Sequence, residues 1–187
     1  SPLTVGCKTT VKDLLYGLLI SSYNDCAVIL SELVSGSESA FVEAMNTRAK
    51  ELGATNTHYK NPHGLHDDGH YTTAYDLYLI FKEFTSHDLA YVIDSTSSYT
   101  FQYKDPSGNS CSEELEPTNG FMTGEYQLPS GFSIGSWKSG TTMQAGHCLI
   151  VEFVNNSTGD KFFAVCAGNV DRDALYGHIT DLIKTSK

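Results

Sequence analysis

His147-Cys148-Leu149-Ile150-Val151-Glu152-Phe153-Val154 and Lys161-Phe162-Phe163-Ala164-Val165-Cys166-Ala167 are apolar runs of strand length, joined by Asn155-Asn156-Ser157-Thr158-Gly159-Asp160. Two such runs around a polar turn read as an antiparallel hairpin. Upstream of it, Tyr99-Thr100-Phe101-Gln102-Tyr103 alternates as a strand does, and Asp105-Pro106-Ser107-Gly108-Asn109 is turn chemistry. The first half of the chain has a helical period instead. Val11, Leu14, Leu15, Leu18 and Leu19 recur at helical spacing behind Thr10, a capping residue. A second helix is expected from about 25 to 34, stopping at Gly36. Ser37 is placed to cap a third, with Phe41, Ala44, Met45, Ala49 and Leu52 inward and Gly53 at its end. Thr73-Ala74-Tyr75-Asp76 has a capping spacing and opens a fourth, carrying Leu77, Ile80, Phe81 and Phe84. Helices first, then a mainly antiparallel sheet with a closing helix, define an α+β layered fold in one domain, 1–187. Its helical part is expected over about 9–95, its strand-rich part over about 96–170 and the closing helix over about 172–185.

Composition narrows the function. The chain has 187 residues, 40% of them hydrophobic and 18% charged, and a formal net charge of −10. That suits a globular domain with a sizeable core. Only 12 Lys and Arg are present, and they are scattered, so nucleic acid is excluded as a partner. No apolar run approaches the length that crosses a bilayer. Cys7, Cys26, Cys111, Cys148 and Cys166 include no Cys-x-x-Cys pair, which leaves structural zinc without support. Cys148 and Cys166 lie in apolar runs and read as small core residues.

Two short motifs bear chemistry. Ser22-Tyr23-Asn24 falls between the first two helices. A serine there can relay a proton, and an asparagine can donate to a substrate carbonyl; helix capping is the plainer reading of either alone. Lys138-Ser139-Gly140-Thr141-Thr142 follows Phe132-Ser133-Ile134-Gly135-Ser136-Trp137, in or beside a strand. A lysine on a strand edge can hold a carboxylate, and small residues after it admit a substrate backbone as an added strand. A backbone N–H just past Gly140 can then face a developing oxyanion. His58, His63, His66 and His70 crowd one loop with Asp67 and Asp68. They invite a metal-site reading, against which a polar surface loop is the simpler account. No cofactor or metal is expected.

In this order and separation the two motifs resemble the D-alanyl-D-alanine carboxypeptidase family, the low-molecular-mass penicillin-binding proteins. So do the stretch from Val11 through Leu19 into Ser22-Tyr23-Asn24-Asp25, Ala49-Lys50-Glu51-Leu52-Gly53, and Asn61-Pro62-His63-Gly64-Leu65. His70 to Leu77 and Ala145-Gly146-His147-Cys148-Leu149 match as well. The resemblance implies a β-lactamase/transpeptidase-like fold and a serine acyl-enzyme acting on peptidoglycan stem peptides that end in D-Ala-D-Ala. It implies β-lactams as inhibitors and a location outside the cytoplasmic membrane. By motif match, Ser22 would relay a proton, Asn24 would orient the substrate, and Lys138 would anchor the terminal carboxylate and polarise Ser22. Ser139 and Gly140 would line the strand edge, and the Thr141 N–H would be an oxyanion donor.

The chain departs from the family in four places. Ser139 stands where Thr is commoner, and Tyr23 where Gly is usual, which is expected to put a ring at the cleft mouth and in contact with substrate. The segment 95–130 shows little of the pattern. Above all, no Ser is followed three positions later by Lys, the element that carries nucleophile and base. Thr9-Thr10-Val11-Lys12 has the spacing but aligns with another family segment. The reading is therefore of a catalytic domain truncated at the N-terminus, without its nucleophile segment. An open sheet edge is expected to pair with that missing piece or with a second copy. The alternative is a catalytically inert peptidoglycan- or penicillin-binding module. A β-lactamase is disfavoured because no matching carboxylate for the deacylating water is found.

Overall fold

A computed structural model describes residues 1–186. The helices begin and end where their capping chemistry lies. In α1 (Val11–Ile20) the Thr10 hydroxyl accepts from Asp13 N at 3.1 Å. Helix α2 (Asn24–Ser35) stops on Gly36, whose φ of 80° lets its N–H reach Glu32 O at 2.8 Å. Ser37 caps α3 (Glu38–Glu51) through Ala40 N, and Thr73 caps α4 (Ala74–Phe84) through Asp76 N. A short α5 (Asp88–Asp94) follows, and α6 (Arg172–Thr185), capped by Asp171, closes the described chain.

The strands form two antiparallel sheets. One is ordered β1-β2-β3, from Lys8–Thr9, Tyr99–Lys104 and Ser110–Leu115. The other is ordered β4-β5-β6, from Phe132–Thr142, Gly146–Asn155 and Lys161–Asn169. The hairpin read from the apolar runs is β5–β6, with Val151 opposite Ala164 and Phe153 opposite Phe162. The fold is α+β, as its period change predicts.

Each sheet has its own core. Trp137, Leu149, Val151, Phe153 and Ala164 pack against Leu175, Tyr176, Ile179 and Ile183 of α6. Leu14, Tyr16 and Ile20 of α1 meet Cys26, Ile93, Phe101 and Leu115 beside the other sheet. At roughly 1.5–3 kcal/mol per large buried side chain, these contacts dominate the cohesion of both halves.

One irregularity positions the chemistry. Ile134 pairs with Phe153 and Trp137 with Val151, so Gly135 and Ser136 together oppose the single residue Glu152. This is a β-bulge, and the extra residue shifts the alternation of β4 by one. Trp137 thereby joins Ile134 on the α6 side, and Lys138 turns to the opposite face. Glycine is required in the bulge, because a Cβ on Gly135 would stand 2.3 Å from Glu152 Oε1. Glu152 is buried and held by Lys161 Nζ at 2.9 Å.

Candidate active site

Between α1 and α2 the chain turns through Ser21, Ser22 and Tyr23. Ser22 is the one non-glycine residue described with positive φ, at 54°. A left-handed backbone costs such a residue about 1–2 kcal/mol, and strain of this kind gathers at functional sites. Here the turn presents Ser22 Oγ to Lys138 Nζ, which donates a hydrogen bond to it. The same ammonium donates to Ser139 O at 2.8 Å. The helix junction and the strand edge therefore meet, although 116 positions separate them. Capping does not account for Ser22 or Asn24: the N-cap of α2 is Tyr23, with no side-chain cap bond.

A groove of about 510 Å³ opens from this contact, lined by Ser22, Asn24, Lys138, Ser139, Gly140 and Thr141, with His63 and His70 across from them. An apolar hollow of about 500 Å³ adjoins it, sharing Lys138, Ser139 and Gly140 and walled by Leu77, Ile80, Phe81 and Phe84 of α4. A Cβ at Gly140 would meet nothing within 4 Å, so the strand edge is open there. Thr141 Oγ1 shares a hydrogen bond with His147 Nδ1 at 3.1 Å, and Ser139 Oγ with Thr118 Oγ1 at 2.7 Å.

Tyr23 is not at the cleft mouth, a correction to its expected place in substrate binding. Its hydroxyl donates to Glu113 Oε1 at 2.6 Å, and its ring packs edge-on against Phe101, centroids 6.2 Å apart. The flanking residues explain this: the positive φ at Ser22 turns the next side chain back onto the sheet. Cys148 is likewise not a core residue but half-buried on the wall of the apolar hollow. Thr9 lies in a separate hollow with Lys8, Asp13 and Tyr103, and its hydroxyl donates to Gln102 O at 2.7 Å.

The clustered histidines mostly tie their own loop together. His58 Nδ1 bonds to Gly69 O at 2.8 Å, His66 Nε2 pairs with Asp68 at 3.2 Å, and His63 Nε2 lies 3.8 Å from Glu38 Oε1. Among the described residues no three His, Cys, Asp or Glu side chains are grouped to hold a metal ion.

Electrostatics single out a residue that motif reading missed. Burial pushes the Lys138 ammonium down to about 8, opposed by the negative charge of Asp94. Lys138 as a residue is half-buried. Asp94, wholly buried at the end of α5, is itself pushed up to about 7 by burial. Its one sequence signal is a carboxylate closing the apolar run Leu89-Ala90-Tyr91-Val92-Ile93. Thr118, in the segment that shows little of the family pattern, was equally invisible.

A layered α+β molecule in which a helix-junction serine meets a strand-edge lysine falls in the β-lactamase/transpeptidase-like class. Its coordinates match the Streptomyces K15 DD-transpeptidase with a TM-score of 0.87 and 25% identity, over 98% of this chain and 70% of that one. They match a D-alanyl-D-alanine carboxypeptidase from Mycobacterium tuberculosis H37Rv with a TM-score of 0.78 and 25% identity, over 94% and 63%. The chain belongs to the D-alanyl-D-alanine carboxypeptidase family, whose sequence profile matches residues 1–166. Among relatives, D-alanyl-D-alanine carboxypeptidase DacF of Bacillus subtilis is 44% identical over 103 residues, 55% of this chain and 25% of its own. DacC of Escherichia coli K12 is 32% identical over 151 residues, 79% of this chain and 34% of its own. The chain thus spans about a quarter to a third of the length of these two relatives.

Proposed function

We propose that this chain is part of a serine-type D-Ala-D-Ala carboxypeptidase that works on peptidoglycan stem peptides through an acyl-enzyme. The observation that carries the reading is the Lys138 Nζ to Ser22 Oγ hydrogen bond at the head of an open groove. Lys138 binds the substrate's terminal carboxylate and polarises the Ser22 hydroxyl, which passes the proton to the departing D-alanine. Asn24 orients the penultimate amide. Ser139 and Gly140 form the strand edge along which the peptide lies, and the Thr141 N–H faces the developing oxyanion. The nucleophile belongs to a Ser-x-x-Lys segment that these 187 residues do not contain. The apolar hollow beside Lys138 and the outer edge of β6 are where such a segment, or failing it a second copy, would pack. The substrate places the enzyme outside the cytoplasmic membrane, and β-lactams, which mimic D-Ala-D-Ala, inhibit it.

A second reading is an inert peptidoglycan- or penicillin-binding module that keeps Lys138 and its groove without a nucleophile. Labelled penicillin separates the two. The expected result is covalent labelling of the gene product that carries a Ser-x-x-Lys segment and none of the 187 residues alone. Labelling of the 187 residues would show the nucleophile to be misplaced; no labelling of any form that includes such a segment would leave the inert module.

A further inference from the structure

Asp94 ends α5 with both its backbone and its side chain fastened to β4. Its carbonyl accepts from Trp137 Nε1 at 3.0 Å, and its Oδ2 accepts from Trp137 N at 3.2 Å. The residue so held is the immediate neighbour of Lys138. The other carboxylate oxygen, Oδ1, is buried with no hydrogen-bond partner, as is Ser136 Oγ beside it. A carboxylate kept only to hold the Trp137 amide would gain nothing from its charge, since an asparagine carbonyl accepts the same bond without the cost of burying an anion.

We propose that Asp94 is a positioning residue for Lys138: bonded to the residue before the lysine, it fixes that stretch of strand and supplies a buried negative charge that keeps charged the ammonium that meets Ser22. The inference rests on the reading of Lys138 as the group that polarises Ser22 and binds a carboxylate, both of which require it charged. Burial works against that charge, and Asp94 is the one neighbour that opposes it. Tyr59, His63 and His70 line the same groove, and none of them contributes to the lysine's shift. The Trp137 amide and the charge of Lys138 in turn favour the charged form of Asp94.

The test is a ¹³Cε-lysine NMR titration of the 187-residue chain, with the Lys138 signal assigned by its loss in Lys138→Arg. Asp94→Asn keeps an acceptor for Trp137 N and removes the charge. It is expected to lower the Lys138 midpoint from near 8 by a unit or more, about a tenfold smaller ratio of ammonium to amine at a given pH. Asp94→Glu, if it folds, should restore part of the shift. Should Asp94→Asn fail to fold, Lys138→Met stands in: by reciprocity it should raise the Asp94 carboxyl midpoint above about 7, read by ¹³C carboxylate NMR. An unchanged Lys138 midpoint in folded Asp94→Asn, or an unchanged Asp94 midpoint in folded Lys138→Met where it must stand in, overturns the proposal. In the gene product that carries the Ser-x-x-Lys segment, the pH profile of penicillin acylation should move with that midpoint; a profile that stays put also overturns it. If the unsubstituted protein is not acylated at all, the proposed function falls, while the NMR titration still decides the link between Asp94 and Lys138.

Discussion

Ser22 holds a backbone conformation that its side chain penalises, and the penalty can be measured. At an ordinary helix junction, alanine is as stable as glycine or more so. At φ 54° the order should invert, with Ser22→Gly more stable than Ser22→Ala by about 1 kcal/mol in thermal or urea unfolding. Equal stabilities would mean that the turn relaxes when the hydroxyl is lost. Both variants remove the acceptor of Lys138, so neither should support penicillin acylation in the larger gene product. The contrast separates what the turn costs from what the hydroxyl does. Motif spacing picked out Ser22, Asn24 and Lys138 because each is a reactive type in a recognisable string. Asp94 and Thr118 act on the same site from strings that carry no pattern, and only the packing of α5 and of the loop after β3 brings them there.

At the level of elements, helices with capping residues and a strong apolar period were readable, since both signals are local: Thr10, Ser37 and Thr73 all cap as their spacing predicts. Helix α5 spans only 7 residues, too few for a period to emerge. Strand β3, Ser-Cys-Ser-Glu-Glu-Leu, is polar and exists because β2 supplies its partner bonds. The bulge in β4 was also unreadable, because Gly135-Ser136 looks like any turn pair until Glu152 is placed opposite. Its requirement for glycine is testable. Gly135→Ala should cost more than about 2 kcal/mol, because its Cβ meets a buried carboxylate that has little room to move. Glu152→Ala in the same chain should recover most of that loss, giving a large coupling energy in a double-mutant cycle. Additive effects would show that the strand accommodates the methyl by shifting.

For the molecule as a whole, the two buried charges shape the dependence of stability on pH. Asp94 has its folded pKa raised from 3.8 to about 7, so the folded state holds its proton longer than the unfolded one. Its contribution to stability is fully present below pH 3.8 and is lost as pH rises through about 7. Lys138 is lowered from 10.5 to about 8, so below 8 the fold bears the full cost of a poorly hydrated ammonium, and that cost lifts towards 10.5. Together they place a trough between about 7 and 8. Asp94→Asn with Lys138→Met should flatten it, with thermal midpoints gaining most in that window, less at low pH, where only the ammonium cost is relieved, and less at high pH, where only the carboxylate cost is. A uniform gain at all pH values would assign the effect to packing instead. The doubled position opposite Glu152 has a consequence for descent within the family. Because a strand presents its residues left and right in turn, the count of residues ahead of Lys138 behaves like a reading frame. Gaining or losing a single residue there would hide the ammonium against α6 and expose the indole to the groove, whereas changes of two would be silent. Lengths of this strand in working relatives should therefore differ by even numbers.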